Sequence, residues 1–183
     1  IDRSLVGSEM CIRDRLKPIL MKFERDDRLQ EDAYVDPGKA SVLVVGMGRV
    51  GKGSFDALTL AIGPNVWGLD ADIERVKVLQ QGGKQVICGD AEDADLWERI
   101  DINSVRLILL ALPSIEDIDN ICQQVKLAGY QGKLAAMARF EDEREHLMKS
   151  GIDKVFNFYT EVGAGFAEES LALLTTNGSP KLA

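Results

Sequence analysis

A run of apolar, largely β-branched residues leads directly into closely spaced glycines. This feature constrains the possible fold of the chain more than any other. Ser41–Val45 (SVLVV) is typical of a buried strand, and the sequence GMGRVG follows it at residues 46–51. A helical pattern, Arg49–Ile62, comes next and ends at Gly63-Pro64. The G-x-G-x-x-G pattern is weak alone, but between a strand and a helix it predicts a turn that binds the diphosphate of a dinucleotide.

The three glycines of this turn have separate expected roles. Gly46 permits the tight turn, and Gly48 lets a diphosphate approach the backbone because it has no side chain. Gly51 allows the helix to pack closely on the strand. The amino end of the helix offers unpaired N–H groups and a partial positive charge to the phosphates.

An acidic residue follows the second predicted strand at the expected distance. Asp70 lies about 20 residues after Gly51, where a carboxylate accepts hydrogen bonds from the ribose hydroxyls of an adenosine. A carboxylate there repels a 2′-phosphate, which favours NAD(H) or AMP-type ligands over NADP(H). The alternative is a solvated aspartate in a turn.

Strand and helix patterns alternate from Ala40 to about Leu174. Parallel βαβ units with right-handed crossovers follow from this alternation. The predicted fold class is α/β, a Rossmann-type doubly wound parallel six-stranded sheet of order 3-2-1-4-5-6 with an extra C-terminal helix. The predicted strands are Ser41–Val45, Val66–Leu69, Gln85–Cys88, Arg106–Leu112, Lys133–Met137 and Lys154–Phe158, and the later helices are Asp72–Gln81, Asp93–Ile100, one opening at Ser114, Glu141–Lys149 and Val162–Leu174.

The domain organisation follows from these patterns. Residues 1–38 are predicted to be a tail and linker, 39–160 the nucleotide-binding domain, 161–176 a C-terminal helix and 177–183 a tail. Ser4–Arg15 resembles translated sequencing-adapter sequence, so residues 1–15 are excluded from the fold prediction.

Composition excludes several classes of function. The net charge of −8 argues against a nucleic-acid partner, because phosphate backbones need a basic face. No apolar run approaches the ~20 residues that span a bilayer, so this chain is not expected to insert into a membrane. The three cysteines are scattered and His146 is the only histidine, so no metal site is predicted.

The sequence patterns that would indicate a catalytic site are incomplete. Gly51-Lys52 nearly completes a phosphate-binding P-loop, but Gly53 stands where a hydroxyl must bind Mg²⁺. Tyr130 and Lys133 are three residues apart, not the four of a Tyr-x-x-x-Lys pair. The prediction is therefore a binding domain with no catalytic residues, not an enzyme.

Four segments together resemble the KTN/RCK (TrkA N-terminal) domains that regulate potassium channels and transporters, and most of all the cytoplasmic domain of Kef-type cation:proton antiporters. They are VLVVGMGRVG around the glycine turn, LDAD at residues 69–72, CGDA at residues 88–91 and ARF at residues 138–140. In such domains the second aspartate lies near the adenine and the arginine points at the ligand cleft. The alternative for Arg139 is a surface cation. The fourth strand departs from the pattern, since it ends in the apolar residues 111–113.

The resemblance implies a regulatory domain that binds NAD(H) or an AMP/ATP-type adenine nucleotide and gates potassium or cation transport. It also implies a homodimer, formed when the last helix with Ala167, Leu171 and Leu174 crosses to a partner subunit, although this stripe could equally pack on its own sheet. The expected partner is a tethered or docked membrane cation transporter or antiporter, and the expected location is cytoplasmic, at the inner face of the bacterial plasma membrane. An NAD-dependent oxidoreductase fragment without its catalytic domain is the alternative function. The candidate binding residues are Gly46, Met47, Gly48, Arg49, Val50, Gly51, Asp70, Ala71, Asp90, Ala91, Ala111 and Arg139.

Overall fold

The computed structural model describes residues 40–100 and 102–176, in which six parallel strands form one sheet of order β3-β2-β1-β4-β5-β6. This order confirms the predicted fold class. The predicted tails and Cys11 lie outside the described residues. The strands are β1 (Val42–Val45), β2 (Val66–Asp70), β3 (Val86–Cys88), β4 (Leu107–Leu110), β5 (Lys133–Ala138) and β6 (Lys154–Asn157).

Helices connect consecutive strands, and a short 3₁₀ turn, Ile102–Ser104, precedes β4. The crossovers between parallel strands require these helices, and each carries an apolar stripe toward the sheet. The helices are α1 (Arg49–Ile62), α2 (Ile73–Gln81), α3 (Ala94–Arg99), α4 (Ile115–Leu127), α5 (Glu141–Lys149) and α6 (Phe158–Thr176).

The buried core lies on both faces of the sheet because neighbouring strand residues point in opposite directions. On β1, Val42 and Val44 pack with Phe55 of α1 and Val76 of α2. The side chains between them face the other layer, where α3, α4 and α5 contribute Trp97, Ile118, Ile121, Cys122, Val125 and Leu147.

Strand β1 lies between β2 and β4, and the chain changes direction there. Val45 pairs with Leu69 of β2 on one side and with Leu110 of β4 on the other. The connections after β1 and after β4 therefore diverge at the carboxyl edge of the sheet. In open α/β sheets, this switch point is where ligands bind.

Helix α6 begins earlier than the sequence pattern predicts. It starts at Phe158, directly after β6, whereas the pattern placed its start at Val162. The side chain of Asn157 accepts a hydrogen bond from the backbone N–H of Thr160 at 3.2 Å, which supports a helical first turn. Many apolar side chains of α6 are exposed, Phe166 and Leu174 among them. Among the described residues, no helix combines the length and the apolar composition that a bilayer crossing needs.

Candidate functional site

The turn after β1 has a backbone that only glycine accommodates at its first position. Gly46 has φ of +85°, which L-residues rarely adopt. A Cβ atom there would lie 2.9 Å from the carbonyl oxygen of Ala111, the residue that follows β4. The backbone N–H of Gly46 donates to the Leu69 carbonyl at 2.8 Å. The turn is thus held between β2 and β4, the two strands that flank the switch point.

Gly48 and Gly51 face different surroundings. A Cβ atom on Gly51 would lie only 1.8 Å from the Gly46 carbonyl oxygen, so the start of α1 packs directly on the turn. A Cβ atom on Gly48 would have no heavy atom of the described chain within 4 Å. Gly51 is therefore required for packing within the chain, whereas the missing side chain of Gly48 leaves space on the cleft side.

The amino end of α1 has the features of an anion-binding site. Gly48 is its N-cap residue, and no side chain of the described residues caps the helix. The first N–H groups of an α-helix have no partners within the helix, and its dipole is positive at this end. A phosphate beside Gly48 would receive these hydrogen bonds without a steric obstacle.

Asp70 ends β2 and is the only charged residue among the described residues that the fold buries, with 7% of its surface exposed. Its carboxylate accepts hydrogen bonds from the backbone N–H of Met47 at 2.7 Å and of Asp72 at 2.9 Å. These two donors belong to the glycine turn and to the start of α2. They orient the carboxylate toward the cleft and compensate for part of the cost of burying its charge.

A guanidinium group completes the surroundings of Asp70. Nη1 of Arg75 lies 2.8 Å and 2.9 Å from the two carboxylate oxygens, and Nη2 lies 3.1 Å from Asp72. The hydrogen bond to Asp70 and the charge of Asp70 raise the pKa of Arg75 above its usual range. Sequence reasoning missed Arg75. The available signal was its spacing, since it lies three residues after Asp72, the N-cap of α2, where a helix brings two side chains together.

Met47 contributes its backbone and not its side chain to the cleft. The side chain is 2% exposed and lies in the core beside Gly68 of β2. A Cβ atom on Gly68 would lie 2.6 Å from the sulfur of Met47. The N–H of Met47 therefore binds Asp70 while its thioether fills space in the core.

A turn after β3 forms another wall of the site. The Asp90 carboxylate accepts a hydrogen bond from the backbone N–H of Glu92 at 2.9 Å. The Ala91 carbonyl accepts a hydrogen bond from Nε1 of the buried Trp97 at 2.7 Å. Helix α3, which carries Trp97, thus fixes the turn against the sheet.

These features surround one cleft of about 360 Å³ at the switch point. Its volume is within the range of roughly 300–1,000 Å³ that is usual for small-molecule sites. Leu112 and Pro113, in the apolar segment after β4, also line it. The predicted residues that line this cleft are Gly46, Gly48, Asp70, Ala71, Asp90, Ala91 and Ala111.

Two other predicted residues line a separate, smaller cavity of about 150 Å³ near the start of α6. They are Val50 and Arg139. The guanidinium of Arg139 is bonded at 2.7 Å to Glu143, and this hydrogen bond raises the pKa of Arg139. Glu143, which also accepts the backbone N–H of Arg139 at 2.7 Å, holds the arginine against α5. Arg49, Met47 and Gly51 line neither cavity.

The Tyr130–Lys133 pair and the single histidine lie in contacts within the fold. The Tyr130 hydroxyl donates to the carbonyl of Lys133 at 3.1 Å, and burial raises the pKa of Tyr130 to about 12. His146 is bonded to Asp119, between α5 and α4. Within residues 40–100 and 102–176, no three His, Cys, Asp or Glu side chains are grouped so that they could hold a metal ion.

The sheet order, the glycine turn and the buried carboxylate one strand away define a Rossmann-type nucleotide-binding domain. The family model described as TrkA-N domain matches residues 42–158, and the chain belongs to this family. The resemblance inferred from the sequence is therefore confirmed.

Solved structures share this fold at low sequence identity. The NAD(P)-binding domain of an exopolyphosphatase-related protein from Archaeoglobus fulgidus is 18% identical with a TM-score of 0.67, and the match covers 73% of this chain and 98% of that chain. The AMP-bound Kef CTD of Shewanella denitrificans is 21% identical with a TM-score of 0.60, and covers 73% and 80%. The NAD-bound GsuK channel is 16% identical with a TM-score of 0.59. That match covers 81% of this chain but only 27% of the channel chain.

Proposed function

We propose that this domain binds an adenine nucleotide, NAD(H) or an AMP/ATP-type ligand, and regulates a membrane cation transporter through that binding. The observation that carries the proposal is the buried Asp70, which the glycine turn itself orients through the N–H of Met47. The start of α1 supplies phosphate-binding N–H groups next to it. The NAD-bound GsuK channel and the AMP-bound Kef CTD support the same ligand class.

The ligand would be held by three groups of this chain. Backbone N–H groups at Gly48, Arg49 and Val50 would bind phosphate, and Asp70 would accept hydrogen bonds from the ribose hydroxyls. The turn formed by Asp90 and Ala91 would lie beside the adenine. Ala71 and Ala111 would line the walls of the cleft. Arg139 lies outside this cleft, so we propose that it would meet only the part of a ligand that extends past Pro113 toward α6.

The regulatory part of the proposal concerns a dimer at the inner face of the bacterial plasma membrane. The exposed apolar residues of α6 would pack against a second copy, and the dimer would act on a tethered or docked potassium or cation transporter. A ligand can shift such an assembly only if it binds two arrangements with different affinity. The proposed nucleotide-binding domain spans residues 39–160, and the proposed crossover segment, residues 161–176, is the part of α6 that follows it.

The test is titration calorimetry of AMP, ATP, NAD⁺, NADH and NADP⁺ against the wild-type chain and Asp70→Asn. Loss of a hydrogen bond to a charged group is worth about 1.5–3 kcal/mol, so we expect the variant to bind at least tenfold more weakly. The matched control is Asp142→Asn, which changes an exposed carboxylate in the first turn of α5, away from the cleft. Circular dichroism would check that each variant is folded.

Two results would contradict the proposal. One is equal affinity of wild type and Asp70→Asn for every nucleotide. The other is sustained oxidation of NADH by the purified chain with a small substrate, which would favour the NAD-dependent oxidoreductase alternative. Binding without turnover is the expected result.

A further inference from the structure

The carboxylate of Asp70 has no acceptor position to spare in this structure. An ionised carboxylate accepts about four hydrogen bonds through its two oxygens. Oδ2 accepts from Met47 N–H and Arg75 Nη1, and Oδ1 accepts from Asp72 N–H and Arg75 Nη1. A ribose diol needs two of these positions. A nucleotide that binds Asp70 must therefore displace a donor already present.

Of the three donors, only Arg75 can leave without a change in the backbone. The N–H of Met47 is fixed by the glycine turn and by the buried side chain of Met47. The N–H of Asp72 is fixed at the start of α2, where the Asp72 side chain caps the helix through the N–H groups of Glu74 and Arg75. The side chain of Arg75 is 43% exposed, whereas that of Asp70 is 6% exposed. A long, half-exposed side chain changes rotamer easily.

Asp72 provides a second partner for the displaced guanidinium. Its Oδ2 lies 3.1 Å from Nη2 of Arg75, so a small rotation would leave the arginine paired with Asp72 alone. We propose that Arg75 is a latch on the nucleotide cleft, which pairs with Asp70 in competition with the ribose diol and is held by Asp72 when a nucleotide binds. The latch rests on the proposed function, because it deepens the ligand recognition of the same cleft.

The latch also affects the discrimination between NAD-type and NADP-type ligands. Among the described residues that line the cleft, Arg75 is the single cation, and Asp70, Asp90, Glu92 and Asp117 are acidic. A 2′-phosphate would be repelled by the carboxylates and attracted by Arg75 alone. Arg75 thus lowers the affinity for a ligand with a free diol and raises the affinity for a ligand with a 2′-phosphate.

The experiment measures affinity for AMP and for 2′,3′-dideoxy-AMP, which lacks the diol, in wild type and Arg75→Met. We expect Arg75→Met to raise the ratio of the AMP affinity to the dideoxy-AMP affinity roughly 3- to 10-fold, the effect of about one hydrogen bond. Affinity for a 2′-phosphorylated analogue should fall in the same variant. The control is Arg144→Met, which removes an arginine of similar exposure that pairs with Glu141 on α5. A ratio that is unchanged or lower in Arg75→Met would overturn the latch.

A second variant tests the role of Asp72. Asparagine caps helices as well as aspartate does, so Asp72→Asn should keep α2 intact while removing the alternative partner of Arg75. We expect Asp72→Asn to weaken AMP binding severalfold in wild type and to have no effect in the Arg75→Met background. Equal effects in the two backgrounds would mean that the residues are not coupled and would overturn the transfer to Asp72.

The outcomes separate the latch from the proposed function. If no nucleotide binds to wild type or to any variant, the nucleotide-binding proposal fails and the latch with it. If wild type binds AMP and Asp70→Asn does not, but Arg75→Met keeps the wild-type ratio, only the latch fails.

Discussion

Two glycines of one turn differ in what surrounds the position of the missing side chain. At Gly51 the space for a Cβ atom is filled by the carbonyl oxygen of Gly46, whereas at Gly48 that space is open. The backbone of Gly48 has φ of −67°, which other residues adopt. The sequence motif does not distinguish the two positions, but the structure does.

We predict opposite effects for alanine at these positions. Gly51→Ala should destabilise the fold by about 1–3 kcal/mol or more, because the methyl group overlaps backbone that cannot move cheaply. Gly48→Ala should leave the unfolding free energy within about 0.5 kcal/mol of wild type and should weaken nucleotide binding, because its methyl group would occupy the proposed phosphate position. Urea unfolding and AMP titration on both variants measure this contrast. A stable Gly51→Ala, or a Gly48→Ala that binds as wild type does, would contradict it.

Single residues also show which parts of the candidate site could be predicted from the sequence. Asp70 was predictable because motif spacing fixes a residue at the end of β2. Arg75 was missed because its rotamer depends on where Asp70 and Asp72 lie in three dimensions. Arg139 was predicted to point at the ligand cleft, but Glu143 binds it beside a different cavity. Backbone positions follow from the motif, whereas partners of long charged side chains follow from the tertiary structure.

At the scale of elements, prediction succeeded where glycine and proline mark the ends. The bounds of α1 agree with the sequence pattern because the glycine turn starts the helix and Gly63, with φ of +80°, ends it. Strand β4 is shorter than predicted and ends at Leu110, although the next apolar residues continued its pattern. Hydrophobicity alone does not show where those residues leave the sheet to line the cleft.

A carboxylate just before the edge strand β6 binds the neighbouring strand β5. Asp153, just before β6, accepts a hydrogen bond from the Leu134 N–H of β5 at 2.9 Å and pairs with Lys133. The hydrogen bond from Leu134, followed by that from Lys133, lowers the pKa of Asp153 below its ordinary value. The side chain is partly exposed, so solvent screening reduces what the ion pair contributes.

We therefore predict that Asp153→Asn lowers the unfolding free energy at pH 7 by about 0.5–1 kcal/mol, the value of one ordinary hydrogen bond. A carboxylate whose pKa is lowered by folding contributes stability above its unfolded pKa and loses it as the pH falls through the folded pKa. The difference between wild type and variant should thus be complete at pH 6 and should shrink as the pH falls below about 4. Urea unfolding at several pH values measures it. A difference that is constant over this range would show that the charge of Asp153 is not involved.

At the scale of the whole molecule, α6 is the helix whose apolar side chains are least covered by the rest of the described fold. It follows β6 directly, and Val162, Phe166, Leu171 and Leu174 are exposed along it. Exposed apolar residues grouped on one helix are typical of a surface that another protein covers. A second copy of this chain is the occupant that we propose.

We predict that the 20.1 kDa chain forms a dimer in solution and that Phe166→Glu with Leu171→Glu converts it to a monomer. A charge buried at the interface would cost more than the contact contributes. Light scattering coupled to size exclusion measures the mass. The control is Leu60→Glu, which places the same charge on an exposed residue of α1. A wild-type monomer, or a dimer that survives both substitutions, would contradict the proposed interface.

The position of Met47 has a consequence for how recognition tolerates change. Its sulfur fills the space beside Gly68 while its own amide holds Asp70. Repacking of the interior at this point would shift that amide and so alter the proposed contact of Asp70 with the ribose, even with every cleft-lining side chain left as it is. The proposed ligand affinity would therefore respond to substitutions in the core around Met47, and not only to substitutions in the cleft.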